Sequence, residues 1–335
     1  MFEAAQILVR NSPLSTEMSQ SLCKDLSLAL ARFPKIRLGH LPTPLEPLDR
    51  LSEILGGPRL WVKRDDCTGL SSGGNKTRKL EFLMAQAQAQ GADTIVTHGA
   101  MQSNHARQTA AAAAKLGLGC HILLEEGSGV AEPNYALSGN ALLNRLHGAH
   151  VSKFAHSADI SAEIACLADQ LIQDGKTPYK IPAGGSDCVG ALGYVNCARE
   201  LAEQAADFGL KIDALVHATD SAGTQAGLLV GLAAIQSDIH LLGIGVRAAQ
   251  DQQEQLVFDL AHRTAEHLGT GVKIAPTDVH VNCGYVGAGY GLPSDGMVRS
   301  LKLLAQTEGL LFDPVYSGKG LDGLITLVKQ GYFAG

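Results

Sequence analysis

The sequence predicts an α/β fold in which parallel sheets carry helices on both faces. Three observations predict it. Short apolar runs of strand length alternate with alanine-rich or amphipathic stretches of helix length through most of the chain. The helical stretches stop on glycine: Lys76 to Gln90 before Gly91, Gln250 to Leu268 before Gly269, and Ser294 to Glu308 before Gly309. Glycine-rich polar loops stand where the strand-like runs give way to helices, which is where such sheets bind ligands.

In chain order, Thr94 to Thr97 reads as a short buried strand, and Ala106 to Leu116 as a helix ended by Gly117. Cys120 to Leu124 is the next strand. Ala214 to Ala218, Gln225 to Ile235 and Leu241 to Val246 repeat the strand, helix, strand order. No fixed-period repeat and no low-complexity linker divides the chain, so a second domain is expected to be inserted within the first.

The composition is that of a soluble globular protein: 335 residues, 45% hydrophobic and 18% charged, with a net charge of −6 and no block of like charges. That argues against a nucleic-acid or membrane surface. No apolar run reaches the roughly 20 residues of a membrane span. Met1 to Leu22 lacks the pattern of a signal peptide, so a cytoplasmic location is expected. Seven scattered cysteines without a C-x-x-C pair fit a reducing compartment rather than a disulfide framework or zinc cage. Twelve histidines without H-E-x-x-H spacing give no reason to expect a metal.

Four loops carry the chemistry. In Ser71-Ser-Gly-Gly-Asn-Lys-Thr-Arg-Lys79, Asn75 is placed to cap a helix whose first turn holds Lys76. A cation there opposes the helix dipole, and the same field favours the neutral amine that covalent catalysis needs. The competing readings are a solvated lysine and a Walker loop, which fails by one residue because Asn75 follows Gly74. In Gly99-Ala-Met-Gln-Ser-Asn-His105, a strand runs into four polar residues at a helix start, where backbone N–H groups can hold a carboxylate. Plain capping by Ser103 or Asn104 is the alternative. In Ala218-Thr-Asp-Ser-Ala-Gly-Thr224, Ser221, Thr224 and the small residues between them form a candidate phosphate cradle without the dinucleotide fingerprint. Tyr290, between two glycines, and Tyr316, in Asp-Pro-Val-Tyr-Ser-Gly-Lys319, are packing residues or phenolic proton donors.

These four segments, in this order, resemble the family of pyridoxal-phosphate enzymes that includes D-cysteine desulfhydrase and aminocyclopropane-carboxylate deaminase. The resemblance runs from about Phe33 to Phe333. The stretches ending at Leu70, Gly227, Arg247 and Gly269 are most similar to the L-cysteate sulfo-lyases within that family. It implies the type II fold of the tryptophan synthase β chain, with residues 1–78 and 191–335 forming a large cofactor-binding domain and 79–190 a smaller α/β domain inserted in it. It implies pyridoxal phosphate as cofactor, a small amino acid as substrate and a homodimer. Carried over residue by residue, Lys76 bonds covalently to the cofactor, Asn104 faces its phenolate oxygen, and Ser221, Ala222, Gly223 and Thr224 bind its phosphate. Gln102 and Ser103 surround the substrate carboxylate, and Tyr290 and Tyr316 line the substrate side, with Ser103 and both tyrosines in catalytic positions. Ser317 stands at the cofactor where the deaminase has a glutamate that protonates the pyridine nitrogen, so ring opening of its substrate is disfavoured. Thr68 and Ser72 lie towards the expected Cβ side, as hydroxyl donors to a sulfonate or as partners of their own loop backbone.

The implied reaction is β-elimination of sulfite from L-cysteate, giving pyruvate and ammonia. D-cysteine desulfhydration and a weakened, non-catalytic relative are the alternatives. Three departures bear on this. Asp220 replaces the usual glycine and puts a carboxylate beside the expected phosphate, which it repels unless its side chain turns away. Relatives continue past the position of Gly335 into a strand and a His-Thr-Gly-Gly segment whose threonine meets the pyridine nitrogen. Residues 1 to about 30 have no family counterpart.

Overall fold

The computed structural model describes residues 5–10, 16–126, 134–155 and 158–333. The chain begins with β1 (Ala5–Arg10), α1 (Thr16–Leu30), β2 (Leu45–Pro47), α2 (Asp49–Leu55), β3 (Arg59–Lys63) and α3 (Lys76–Ala89). Then follow β4 (Thr94–Ala100), α4 (Asn104–Leu116), β5 (Gly119–Glu125), α5 (Gly139–Leu146), β6 (His150–Phe154), α6 (Ile160–Gln173) and β7 (Pro178–Ile181). The last part runs α7 (Cys188–Asp207), β8 (Lys211–Thr219), α8 (Gly223–Ala234), β9 (His240–Gly245), α9 (Gln250–Leu268), β10 (His280–Asn282), α10 (Asp295–Glu308) and α11 (Ser317–Lys329).

The strands form two sheets. One has the order β6-β5-β4-β7 and is parallel throughout. The other has the order β10-β9-β8-β1-β3-β2; its β8, β9 and β10 are parallel. The four-stranded sheet is therefore contributed by chain lying between strands of the six-stranded one. The remaining half of the larger sheet is antiparallel, which alternation alone does not predict. Residues 48–58 hold only the short α2, too little for a parallel crossover of a dozen residues or more, so β2 and β3 pair antiparallel. The N-terminal segment, for which the sequence offers no family counterpart, supplies β1 between β8 and β3, antiparallel to both. Its helix α1 buries Cys23, Leu26 and Leu30 in the same core cluster as Leu192, Val195 and Leu201 of α7.

Glycine ends α4 and α10 in the left-handed conformation at Gly117 and Gly309, as expected. Asn75 occupies the N-cap position of α3, but its side chain makes no cap hydrogen bond; its Oδ1 accepts from Asn104 Nδ2 at 3.3 Å.

Beneath the start of α3 lies a sealed network of charges. Arg78, with no exposed side-chain surface, donates to both carboxylate oxygens of Asp65 (Nε at 3.0 Å to each) and to both of Glu200 at 2.9 Å. Lys63 Nζ meets Glu200 at 2.5 Å, and the Tyr194 hydroxyl donates to Asp65 at 2.7 Å. Two cations face two carboxylates, so the network is neutral. Burial alone raises the Glu200 carboxyl, but Arg78 and Lys63 outweigh it and bring it down to about 2. This network fixes the turn that carries Lys76.

Candidate active site

A cavity of about 230 Å³ opens where β4, β7 and β8 end and α4, α7 and α8 begin. Its wall includes Lys76 from α3, Gln102 to His105 from the β4–α4 junction, Gly184 from the β7–α7 loop, and Asp220 and Ser221 from the β8–α8 loop. Arg247 follows β9, and Tyr290, Asp313 and Tyr316 close the far side. Loops far apart in the chain thus converge on one space.

Lys76 is 4% exposed, and its Nζ lies 5.8 Å from the ring centre of Tyr316. The loop that delivers it needs its glycines. Gly73 has φ +78, and a Cβ there would stand 1.8 Å from the Asp66 carbonyl oxygen. Thr68 ties the same loop: its hydroxyl accepts from Gly74 N at 2.8 Å and donates to Gly74 O at 2.9 Å. Thr68 is fully buried and outside the cavity wall, and Ser72 is exposed and outside it as well. The structure does not bring these two hydroxyls to the substrate side; Thr68 serves its own loop backbone, as most loop hydroxyls do.

At the second junction Ser103 caps α4, accepting from Ala106 N at 3.1 Å, while still facing the cavity. Gln102 also lines the cavity, but its amide is occupied. It donates to the carbonyls of Tyr135 and, at 3.1 Å, Ser138, and accepts from Asn140 N at 2.9 Å. It braces residues 135–140 around the site. His105 Nε2 and Thr97 Oγ1 are 2.8 Å apart. Burial, helped by Lys76 and Lys79, pushes His105 well below its ordinary pKa, so it is neutral here.

Ser221 is the member of the Ser221–Thr224 segment that lines the cavity. Ala222, at φ +65, turns the chain into α8, and Gly223 opens that helix. Ala222 and Gly223 are buried and Thr224 is half-buried behind the wall. Ser186 Oγ donates to Ser221 Oγ at 3.0 Å, and Lys79 Nζ donates to Gly184 O at 3.0 Å and Ser186 Oγ at 3.2 Å. A Cβ on Gly223 would lie 2.7 Å from Ser186 Oγ and 2.8 Å from Lys79 Nζ, so only glycine lets the helix start approach them. The sequence reading missed Lys79, Gly184 and Ser186. Their signals were a second lysine one turn after Lys76, and Gly184-Gly185-Ser186 following a strand.

Asp220 does turn away from this cradle. Its Oδ1 lies 3.3 Å from Arg247 Nε. Burial pushes its carboxyl up, against the pull of Arg247 and Lys76. The Arg247 guanidinium lies over the Tyr290 ring, 4.0 Å from its centre. Lys319, fully buried, holds the Tyr290 loop through the carbonyls of Val286 at 2.6 Å and Gly289 at 2.7 Å. Asp313 orders the Tyr316 loop: Oδ1 accepts from Val315 N and Tyr316 N, and Oδ2 from Ser317 N and the Ser317 hydroxyl. Ser317 is thus buried, bound to Asp313 and outside the cavity wall.

The residues fit a compound with a carbonyl and a phosphate. Lys76 offers a primary amine, while one turn away Lys79, Ser186 and Ser221 surround the first N–H groups of α8, where positive dipole and backbone donors meet an anion. Among the described residues no group of three or more His, Cys, Asp or Glu is placed to hold a metal ion, and no helix is long and apolar enough to cross a membrane.

Comparison with known proteins agrees with this geometry. Residues 36–335 match the family model described as pyridoxal-phosphate dependent enzyme. The chain is 45% identical over 304 residues to D-cysteine desulfhydrase of Salmonella choleraesuis, covering 91% of each protein, and equally to that of Salmonella schwarzengrund. Among solved structures, an ACC deaminase homologue superposes with a TM-score of 0.83 at 35% identity, over 91% of this chain and 90% of that one. A threonine deaminase from T.th., at 16% identity and a TM-score of 0.60 over 93% of each chain, shares the fold. The fold is the type II fold of pyridoxal-phosphate enzymes, and the chain belongs to the pyridoxal-phosphate-dependent enzyme family.

Proposed function

We propose that the protein is a carbon–sulfur lyase that eliminates sulfite from L-cysteate, with pyruvate and ammonia as the final products. The observation that carries the lyase reading is Lys76, a buried primary amine that shares one cavity wall with Ser221 before the α8 start and with Tyr290 and Tyr316. The L-cysteate reading rests on the segments that resemble the sulfo-lyases, those ending at Leu70, Gly227, Arg247 and Gly269. The D-cysteine desulfhydrases at 45% identity favour sulfide release from D-cysteine as the second reading.

When bound, pyridoxal phosphate supplies an electron sink for the pair left at the substrate Cα. The chain's own residues do the rest. The α8 start and Ser221, backed by Ser186 and Lys79, would hold the phosphate, and Asn104, braced on Asn75, would orient the ring. Lys76 carries the cofactor and then takes the Cα proton as general base. Ser103 and the start of α4 receive the substrate carboxylate. Tyr290 and Tyr316 shield the reacting carbons from water and present phenolic hydroxyls to the substrate side. In this reading residues 1–78 with 191–335 form the large domain and 79–190 the small one, and cavity residues of both would hold the cofactor.

The test is kcat/KM for sulfite release from L-cysteate against sulfide release from D-cysteine. L-cysteate is expected to win by at least about tenfold, about 1.4 kcal/mol in transition-state binding. A tenfold advantage for D-cysteine replaces this reading with the desulfhydrase one. No turnover of either, with no visible absorbance that borohydride removes, identifies a weakened relative.

A further inference from the structure

Among the described residues the cavity wall carries two cations, Lys76 and Arg247. Lys76 is committed to the cofactor in the lyase reading, and the role of Arg247 rests on that reading. Arg247 is differently placed. It sits just past the carboxyl end of β9, and its side chain is 53% exposed at the cavity. The contact with Asp220 runs from Nε at 3.3 Å and engages one edge of the guanidinium. Five N–H donors in a planar fork exceed what that carboxylate oxygen and the neighbouring Tyr290 can accept. The Tyr290 ring at 4.0 Å fixes the guanidinium plane, which reduces the entropy lost when a ligand engages it.

The other charged groups of the wall do not compete for this role. Asp313 is saturated by the backbone of its own loop, and His105 is neutral. Thr68 and Ser72, the hydroxyls in the Lys76 loop, lie outside the cavity. Apart from Lys76, Arg247 is the cation of the described wall, and the donor there that matches an anionic group on Cβ in charge.

We propose that Arg247, braced by Asp220 and Tyr290, is the specificity residue that receives an anionic, oxygen-rich leaving group on the substrate Cβ, a sulfonate. A guanidinium matches two oxygens of such a group as a fork. The step itself strengthens the contact. The Cα–H bond breaks, its proton going to Lys76 and its electron pair becoming the second bond between Cα and Cβ, and the C–S bond breaks with both its electrons going to sulfur. The singly charged sulfonate thereby leaves as doubly charged sulfite. Charge grows on the oxygens facing Arg247, so the interaction is stronger in the transition state than in the ground state and acts on kcat as well as KM. Asp220 holds the guanidinium in place and keeps the empty pocket near neutrality, which lets the product go.

The test compares wild type with Arg247→Gln, Arg247→Lys and the double variant Asp220→Asn/Arg247→Gln, each as holoenzyme. Arg247→Gln is expected to lower kcat/KM for L-cysteate by about tenfold to a hundredfold, the scale of a lost charge-assisted hydrogen bond, and that for D-cysteine by less than about threefold. Arg247→Lys keeps the charge without the fork and falls between. The double variant separates recognition from mere neutralisation of Asp220. A persistent loss on L-cysteate supports the proposal, and recovery to the wild-type value overturns it. A binding arm is independent of turnover: 3-sulfopropanoate, which lacks the amino group, is set against propanoate as a competitive inhibitor of whichever substrate is used. Wild type is expected to bind the sulfonate at least about tenfold more tightly, with the preference gone in Arg247→Gln. Equal inhibition by the two in wild type overturns the proposal. Absence of L-cysteate turnover alone sinks the substrate reading and leaves this arm to judge Arg247.

Discussion

Arg78 and Arg247 each meet an aspartate, yet their surroundings give the two pairs opposite characters. Arg78 has no exposed side-chain surface, and its donors are spread over Asp65, Glu200 and Thr43. Arg247 is about half exposed, touches Asp220 through one nitrogen and rests on an aromatic face. In the first site removing any member strands a charge away from water. In the second, water can replace what is lost. Complete pairing in a sealed space marks a part of the scaffold, while partial pairing at a cavity edge leaves donors to offer a ligand. The lysines of α3 show the same division within one helical turn: Lys76 faces the cavity, while Lys79 is bound to Gly184 and Ser186.

The strongest test of this contrast is at Lys76. Lys76→Ala is expected to abolish the visible absorbance of the cofactor-loaded protein and to reduce elimination by at least about a thousandfold, since the proposed mechanism rests both covalent attachment and proton removal on this amine. Full activity in that variant would overturn the site assignment. Next in size is the pair of arginines. Arg78→Met leaves Asp65 and Glu200 short of a counter-charge and is expected to cost about 3–5 kcal/mol in urea unfolding. Arg247→Gln is expected to cost less than about 1 kcal/mol. Equal losses would erase the distinction drawn between the two sites.

The smallest effect is a dependence on acid. Glu200 has a folded pKa of about 2, below its ordinary 4.5. The stability it contributes is complete above about 4.5 and is lost as pH falls from there towards about 2. Asp220 has the opposite sign: burial raises its carboxyl above the ordinary 3.8, so its ionisation works against the fold as pH rises through that range. Unfolding midpoints at a series of pH values should therefore show a shallower acid limb in Glu200→Gln than in wild type, and no such flattening in Asp220→Asn.

Much of the site was legible because it lies in contiguous loops. The segments at Lys76, at Gln102 to His105, at Ser221 and at the two tyrosines each announce themselves by glycines or polar residues at a strand end, and Lys76, Gln102, Ser103, Asn104, Ser221, Tyr290 and Tyr316 all reach the cavity. What was not legible is which atoms remain available there. Gln102 turned out to brace residues 135–140, Thr68 to tie Gly74, and Ser317 to meet Asp313. Nothing in a strand-to-helix junction tells a reader whether a hydroxyl or amide will be consumed by its own loop.

Local sequence was enough for the helices after Asn75, Asn104, Thr224, Ala249 and Ser294, for the strand-to-helix loops and for the lysine at the α3 start, because those depend on φ, hydrophobic period and capping within a few residues. Tertiary packing was needed to set half of the large sheet antiparallel, with β1 at its centre. Packing also put Lys79 and Ser186 behind the α8 start, and turned Asp220 towards Arg247 rather than towards that helix start. These are contacts between residues from 27 to more than two hundred positions apart, as Asp220 with Arg247 and β1 with β8. They are set by how sheets and helices pack and by which side each side chain leaves its backbone, and no local pattern carries that information.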